Sequence, residues 1–413
     1  MGHAVKLLFP LAALVISVSA CAAAPVNGVD NNPRKPISLD TKQKELLNLG
    51  QSFSLEFLDR IEKDSSTEDY VISPLSIQFL LGMILNGAKD KTADEIRTVL
   101  GYGESTAADV NEFCKAMLRQ LPALDKNTKL MIADAIVVDE GYKLRPAYSK
   151  TVEDYYDAQI SNLDFKDTKR SADKINRWCY EHTEGLIPHI LDEVSPAMLC
   201  YLLNALYFKG EWTEKFNKAY TTEEPFFRNG KEVAKVPLMS NFGEYNYTEN
   251  ELFQAVSLPY GNGAFSMAIM LPAGKHTTAE IIAHLKKTGW DYFKRTMYDR
   301  QVDLFIPRFE TKYHKELNEI LSAMGMPTSF KDNANFSDMS PDALKLSFVQ
   351  QDAVIKVDEE GAEAAAISSA GMEKATAIPM DPPVVLRADH PFIYIISEYS
   401  TGAILFAGRY SAI

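Results

Sequence analysis

The sequence predicts one large α+β domain, and three observations carry this. Helical and strand signals are mixed along the chain, no segment repeats, and no Pro/Ser-rich linker interrupts the body. At 413 residues the chain could hold two or three average domains, but single domains also reach this size. The first element is an amphipathic helix over 43–61, where Leu46, Leu47, Leu49, Phe53, Phe57 and Leu58 recur at helical spacing. A second helix opens with Ser73 as cap and Pro74 at the first helical position. Its apolar residues from Ile77 to Leu85 cover nearly every face, which predicts burial. Residues 129–138 read as a strand, 146–156 and 172–183 as helices, and 199–208 as a long apolar strand. Residues 252–259 and 264–271 resemble a strand pair around Gly261-Asn262-Gly263; 302–306 is a strand and 315–324 a helix. Two last strands, 392–397 and 403–408, flank a Ser400-Thr401-Gly402 turn.

Composition narrows the function classes. The chain is 46% hydrophobic and 24% charged, ordinary for a globular protein. Its 43 basic and 56 acidic residues leave a net charge of −13. That surface repels phosphate backbones and no Lys/Arg run offsets it, so no nucleic-acid partner is expected. Cys114, Cys179 and Cys200 suggest no disulfide framework; Cys179 beside Trp178, and Cys200 within an apolar stretch, read as buried small hydrophobes. Cys179, His182 and His189 match no zinc spacing, and the two histidines are expected to flank the helix and turn around Gly185 and Pro188. Neither Gly-x-Ser-x-Gly nor His-Glu-x-x-His occurs, so no enzyme activity, metal or cofactor is expected.

At the N-terminus Lys6 precedes an apolar run over 7–18, too short to span a bilayer and suited to a secretory signal. It ends Val18-Ser19-Ala20-Cys21, which resembles the lipobox of bacterial lipoproteins, where the Cys receives lipid. Simple cleavage after Ala20 is the other reading. Residues 1–20 are thus expected to be a signal peptide, 21–40, rich in Pro, Asn and Asp, a flexible tether, and 41–413 the domain. The expected location is the bacterial outer membrane through a lipid on Cys21, or the extracellular space.

One loop stands out. A strand signal over 354–357 ends at Asp358, and the next begins only at Val384. A connection of about 20 residues is longer than compact domains normally hold, and such loops are functional or disordered. Its start, Glu359-Glu360-Gly361-Ala362-Glu363-Ala364-Ala365-Ala366, is helical by propensity. Yet Ala362, Ala364, Ala366, Ser368 and Ala370, at every second position, are all small. As a strand, this segment could slide one face under a sheet while Glu363 stayed in solvent. A solvated helix or an unstructured loop is the competing reading.

The hinge EEGAEAAA, with LRADHPFIYII at 386–396, resembles the reactive-loop hinge and C-terminal signature of serpins. VISPLSI (71–77), IADAIVVDEGYKL (132–144), LLNALYFKGEW (202–212), VDLFIPRF (302–309), LSAMGM (321–326) and TGAILFAGR (401–409) each resemble a family segment, in the family's order. The resemblance covers the chain from about Lys42 onward. It implies the serpin fold, three β-sheets with eight or nine helices and an exposed reactive loop, here in a bacterial lipoprotein-type member. It also implies a suicide substrate. A serine or cysteine protease attacks the loop, forms an acyl-enzyme, and is trapped as the cleaved loop inserts into the main sheet.

Residue by residue, the resemblance makes Glu359 to Ala366 the hinge, with Ala362 where the family usually has Thr or Ser. Ser73, Ser76 and Asn204 match the polar cluster where the sheet opens, with Gln351 where a His is usual; Gln does not titrate near neutral pH. Trp212 matches the tryptophan at the breach, near the top of the sheet. Counting about 15 inserted residues from Gly361, roughly 50 Å of strand, puts the reactive bond at Ala375–Thr376. That bond suits an elastase- or subtilisin-like protease, whereas Lys374–Ala375 would suit a trypsin-like one. The loop is several residues longer than usual, through Pro379, Pro382 and Pro383. The expected state is a monomer whose partner is the protease, touching membrane only through an N-terminal lipid. The competing function is a non-inhibitory serpin-fold carrier, although such relatives commonly place Pro, charge or bulk in the hinge.

Overall fold

In a computed structural model of the chain, the residues described are Met1, 32–65, 68–347, 349–362 and 382–412. Helix α1 (Thr41–Asp64) opens on a capping box in which Asp40 accepts from the Gln43 N–H and the Gln43 side chain accepts from the Asp40 N–H. Helix α2 (Pro74–Leu85) begins where Ser73 Oγ accepts from the Ser76 N–H, and it is buried on every face. The others are α3 (Asp90–Leu100), α4 (Ala107–Gln120), α5 (Pro146–Tyr156), α6 (Thr168–His182), α7 (Thr278–Thr288), α8 (Trp290–Thr296) and α9 (Asn318–Met324), nine among the described residues.

The strands are β1 (Tyr70–Ile72), β2 (Thr128–Asp139), β3 (Gln159–Leu163), β4 (Cys200–Glu211), β5 (Thr222–Arg228), β6 (Lys231–Glu249), β7 (Phe253–Tyr260) and β8 (Phe265–Pro272). Then follow β9 (Tyr298–Pro307), β10 (Phe309–Glu316), β11 (Gln350–Val357), β12 (Gly361–Ala362), β13 (Val384–Arg387), β14 (Phe392–Glu398) and β15 (Ile404–Tyr410). One sheet has the order β10-β11-β12-β4-β2-β3; the other runs β1-β15-β14-β8-β7-β6-β9-β13, with β5 on β6. The long β6 joins two halves of the larger sheet, since its Leu238–Tyr247 stretch pairs with β9 and its last residues with β7. Those halves, with the six-stranded sheet, account for the three sheets expected. Helix α2 lies between the layers, packed on β4 and β15.

Three local features differ from the expectation. The compact body starts at Asn32, ahead of Thr41. Ile37 and Leu39 are buried, the Arg34 guanidinium stacks 3.8 Å from the Tyr399 ring centre, and the Ile37 N–H donates to Ser400 Oγ at 3.0 Å. Two apolar side chains and one stacked cation hold a stretch whose composition alone reads as tether. Lys315 and Glu316 end strand β10 instead of starting a helix, because the register with β11 runs through Lys315–Gln351 and Glu316–Gln350. Lastly, Glu359 and Glu360 form a tight turn into β12 rather than a helix, overriding propensity with sheet hydrogen bonds.

Candidate functional site

The two residues of β12 sit between β4 and β11 at one end of the six-stranded sheet. Gly361 and Ala362 oppose Glu211 and Gly210 on one side, and Ala362 opposes Val357 on the other, both pairings antiparallel. Strands β4 and β11 are therefore parallel to each other. Among the described residues they share no ladder below β12, since β4 pairs otherwise with β2, and β11 with β10. Among the described residues, then, a slot below β12 is bounded by one edge of β4 and one of β11. An unpaired edge is a template for a further strand, and this slot takes one antiparallel to both neighbours.

The mouth of the slot is built by charge and close approach. The Asp358 N–H donates to the Gly361 carbonyl at 2.9 Å, and Asp358 Oδ1 accepts from the Glu360 N–H at 2.8 Å, which closes the turn. Gly361 has φ 150, and a Cβ there would lie 2.0 Å from the Gly210 carbonyl oxygen, so no side chain fits. Trp212 clamps the turn: its backbone N–H donates to the Glu360 carbonyl at 2.7 Å and its indole Nε1–H to the Asp358 carbonyl at 2.9 Å. The indole in turn stacks 4.3 Å from Tyr260. Glu359, 1% exposed, accepts from Thr221 Oγ1 at 2.7 Å and lies 3.5 Å from Arg308. Glu360 lies 3.0 Å from Lys215 and 3.3 Å from Lys218. Burial alone would raise its pKa, but the two ammonium groups outweigh that and hold it below the usual carboxylate value.

Halfway down, a small cavity is lined by Ser73, Ser76, Asn204 and Gln351 among others. Gln351 grips the start of α2 twice, Oε1 accepting from the Ser73 N–H at 3.1 Å and Nε2 donating to the Ser73 carbonyl at 2.9 Å. Asn204 does not join that exchange. Its Nδ2 donates instead to Asp134 on β2 at 2.7 Å, and both Asn204 Oδ1 and Asp134 Oδ2 are buried without a partner among the described residues. Burial pushes the Asp134 carboxyl up to about 7 against the opposing Asn204 hydrogen bond, with Asp157 adding to the rise. Sequence reasoning missed Asp134; its only signal was one acid inside the apolar run 130–138. It also missed Lys215, Lys218, Thr221 and Arg308, which hold the hinge glutamates.

Lower still, beneath α6, the slot widens into a cavity of about 250 Å³ lined by Ile190, Leu191, Met198, Leu202, Phe336 and Leu344 among others. Cys179 and Cys200 border it, and burial pushes both thiols up to about 12. His182 stacks on Trp178 and pairs through Nδ1 with the Trp178 carbonyl at 2.7 Å; His189 meets Asn176 and Asp192. No group of three or more His, Cys, Asp or Glu is placed to hold a metal among the described residues, and no described helix is long and apolar enough to cross a membrane. Glu363, Ala364, Ala365, Ala366, Lys374, Ala375, Thr376 and Cys21 lie outside the described residues.

The described site is a short strand, β12, seated between β4 and β11 with its buried turn held by Trp212, Thr221, Arg308 and two lysines. The family model "Serpin (serine protease inhibitor)" matches residues 48–413, and the chain belongs to the serpin family. Antitrypsin of Bombyx mori is 28% identical over 88% of this chain and 93% of its own length. The native thermophilic serpin tengpin superimposes with a TM-score of 0.82 at 29% identity, covering 92% of this chain and 97% of that one. Thyroxine-binding globulin in complex with thyroxine shares the fold at 23% identity, with a TM-score of 0.79 over 88% and 98% of the two chains. Serpins act on target proteases in general, and the fold also occurs in thyroxine-binding globulin, solved in complex with thyroxine.

Proposed function

We propose that this chain is a suicide-substrate inhibitor that traps an acylated serine protease, or a cysteine protease, by inserting its cleaved loop into the slot between β4 and β11. The observation that carries the reading is the seated hinge. Ala362, fully buried, already occupies the first position of the slot, and below it β4 and β11 do not pair with each other among the described residues. An extended strand that follows Ala362 in register would satisfy both edges with main-chain hydrogen bonds, whatever its side chains, provided alternate ones are small. Ala364, Ala366, Ser368 and Ala370 meet that condition in sequence.

The proposed reactive bond is Ala375–Thr376, with Lys374–Ala375 as the neighbouring choice. The proposed location, on the lipobox-like Val18-Ser19-Ala20-Cys21, is the outer surface of a bacterial envelope through lipid on Cys21, or the extracellular space. The purified chain is to be mixed with neutrophil-type elastase, subtilisin and trypsin and run on a denaturing gel, with mass spectrometry of the products. A complex that survives denaturation, with a C-terminal fragment beginning at Thr376 or Ala375, is the expected result. Cleavage by all three with no surviving complex would remove the trapping reading. One observation favours the carrier reading instead: the cavity of about 250 Å³ beneath α6 is large enough for a small apolar molecule. A loop-cleaved form with no gain in thermal stability would favour it.

A further inference from the structure

Away from the slot, the β5–β6 hairpin, the β8–α7 connection, the end of α1 and the turn after β13 enclose an open groove of about 1020 Å³. None of its lining residues borders β12 or the two cavities beneath it. The groove has room for a ligand of ordinary small-molecule size. Phe227, Pro272 and Pro391 give it an apolar wall.

On a chain of net charge −13, this groove gathers cations. Arg228 ends β5 and is fixed there by the two-residue Asn229-Gly230 loop, whose φ values are 52 and 72. Register sets Arg228 directly opposite Lys231. Like charges opposed in this way destabilise a strand pair, and neither side chain has an acid partner among the described residues. Lys275, on the β8–α7 connection, has none either.

The other charged residues of the groove are matched. Lys63 pairs with Asp59, His276 with Glu280 and His390 with Asp389. Glu62, buried, accepts from Tyr70 at 2.7 Å and from Thr278 Oγ1 at 2.6 Å, and lies 3.0 Å from Arg409 Nη1. Arg409 is 4% exposed, yet its Nε–H is buried without a partner among the described residues. The Thr277 capping box at the start of α7 takes the Glu280 N–H. It leaves the N–H groups of Thr278 and Ala279, both in the groove lining, to other acceptors.

We propose that this groove binds a soluble small molecule that carries a phosphate monoester on an apolar or aromatic body. A phosphate monoester brings nearly two negative charges and three acceptor oxygens. Arg228 and Lys275 supply the opposite charge, and the guanidinium fork suits phosphate geometry. The first N–H groups of the 11-residue helix α7 add fixed donors. A carboxylate, with one charge and two oxygens, would leave one of the two cations unmatched. The body of the ligand lies against Phe227, Pro272 and Pro391. Binding offsets the repulsion between Arg228 and Lys231 and stabilises the folded chain by mass action. The inference stands whether or not the loop traps a protease.

Phenyl phosphate is the probe, titrated calorimetrically into the full chain at fixed ionic strength. Saturable binding is expected, with inorganic phosphate competing and benzoate weaker by about tenfold or more. Combining Arg228→Ser with Lys275→Ser should weaken phenyl phosphate by about tenfold or more, and Lys331→Ser should leave it within about twofold. None of these changes should lower the melting temperature without ligand. On the unaltered chain, amine labelling read by mass spectrometry should slow at Lys275, but not at Lys331, once phenyl phosphate is added. No saturable binding up to about 10 mM, or equal binding by the parent and the double variant, would overturn the proposal. Binding confined to vesicles that contain phosphatidic acid would mean that the phosphate is read on a membrane surface, and the small-molecule proposal would be wrong.

Discussion

Asp134 stands on β2, buried, with one hydrogen bond, to Asn204 across the strand. Its carboxyl keeps a proton up to about 7 in the folded chain, against an ordinary value of 3.8. Folding therefore retains a proton that the unfolded chain releases, and the associated stability is full below about pH 4. It declines by about 1.4 kcal/mol per pH unit until the folded group ionises, then levels off. Asp134→Asn keeps the shape and removes this decline. Chemical denaturation of both proteins at pH 5, 6, 7 and 8 should show the variant gaining roughly 2–3 kcal/mol on the parent between pH 5 and 7.5. Parallel curves across that range would exclude Asp134 as a titrating group. Gln351 is the opposite case. It holds Ser73 by two buried hydrogen bonds and does not titrate. Gln351→Leu orphans the Ser73 N–H, at about 1–3 kcal/mol, while the Ser73 carbonyl keeps the Ile77 N–H. Denaturant titration should therefore show a stability loss of about 1–3 kcal/mol, equal at pH 5.5 and 7.5. A cost that changes with pH would point to another group at this position.

At the scale of elements, β12 is the shortest strand and the one that decides the behaviour of the loop. Ala362 has no solvent exposure and sits with Val357 and Gly210 on either side. Ala362→Arg places a charge with no partner in that position, so β12 cannot seat and insertion loses its starting register. The protease should then cut the loop and leave: covalent complex should fall at least tenfold while loop cleavage continues at its former rate. Undiminished complex would mean that insertion does not begin at Ala362. How much of this was legible follows from where the information sits. Local, periodic signals read correctly: Ser73-Pro74 starts α2, and the Gly261-Asn262-Gly263 turn joins β7 to β8. Signals that depend on distant partners did not. The apolar positions of Lys315–Met324 fit a helix until β11 claims Lys315 and Glu316, and Ile37 and Leu39 look isolated until the folded body offers them a surface. At the site, family-like motifs singled out Ser73, Ser76, Gln351 and Trp212, but the bond from Asn204 to Asp134 joins residues 70 apart in sequence and no local pattern announces it.

At the scale of the whole molecule, the six-stranded sheet decides what a freed loop could gain. Strand β4 is 12 residues long and paired with β2 along nearly all of it, and among the described residues its other edge meets only the two residues of β12. Strand β11 is in the same position against β10. Open edges inside a sheet are a loss relative to a filled one, because each main-chain hydrogen bond contributes about 1 kcal/mol net. About ten new bonds along both edges are therefore on the order of 10 kcal/mol, available only once the loop is cut and its end freed. Unfolding entropy near 2.1 cal/mol/K per residue over about 380 ordered residues converts this to a rise in melting temperature of roughly 10 °C. Cleaving the loop of the purified chain with a protease that it does not trap, then comparing melting curves of cut and uncut protein, measures that rise directly. The same comparison with Ala362→Arg should show little or none, because the strand cannot enter past the first position. If cut and uncut parent melt together, the slot between β4 and β11 does not accept the loop, and the free energy that drives trapping is not stored in this sheet.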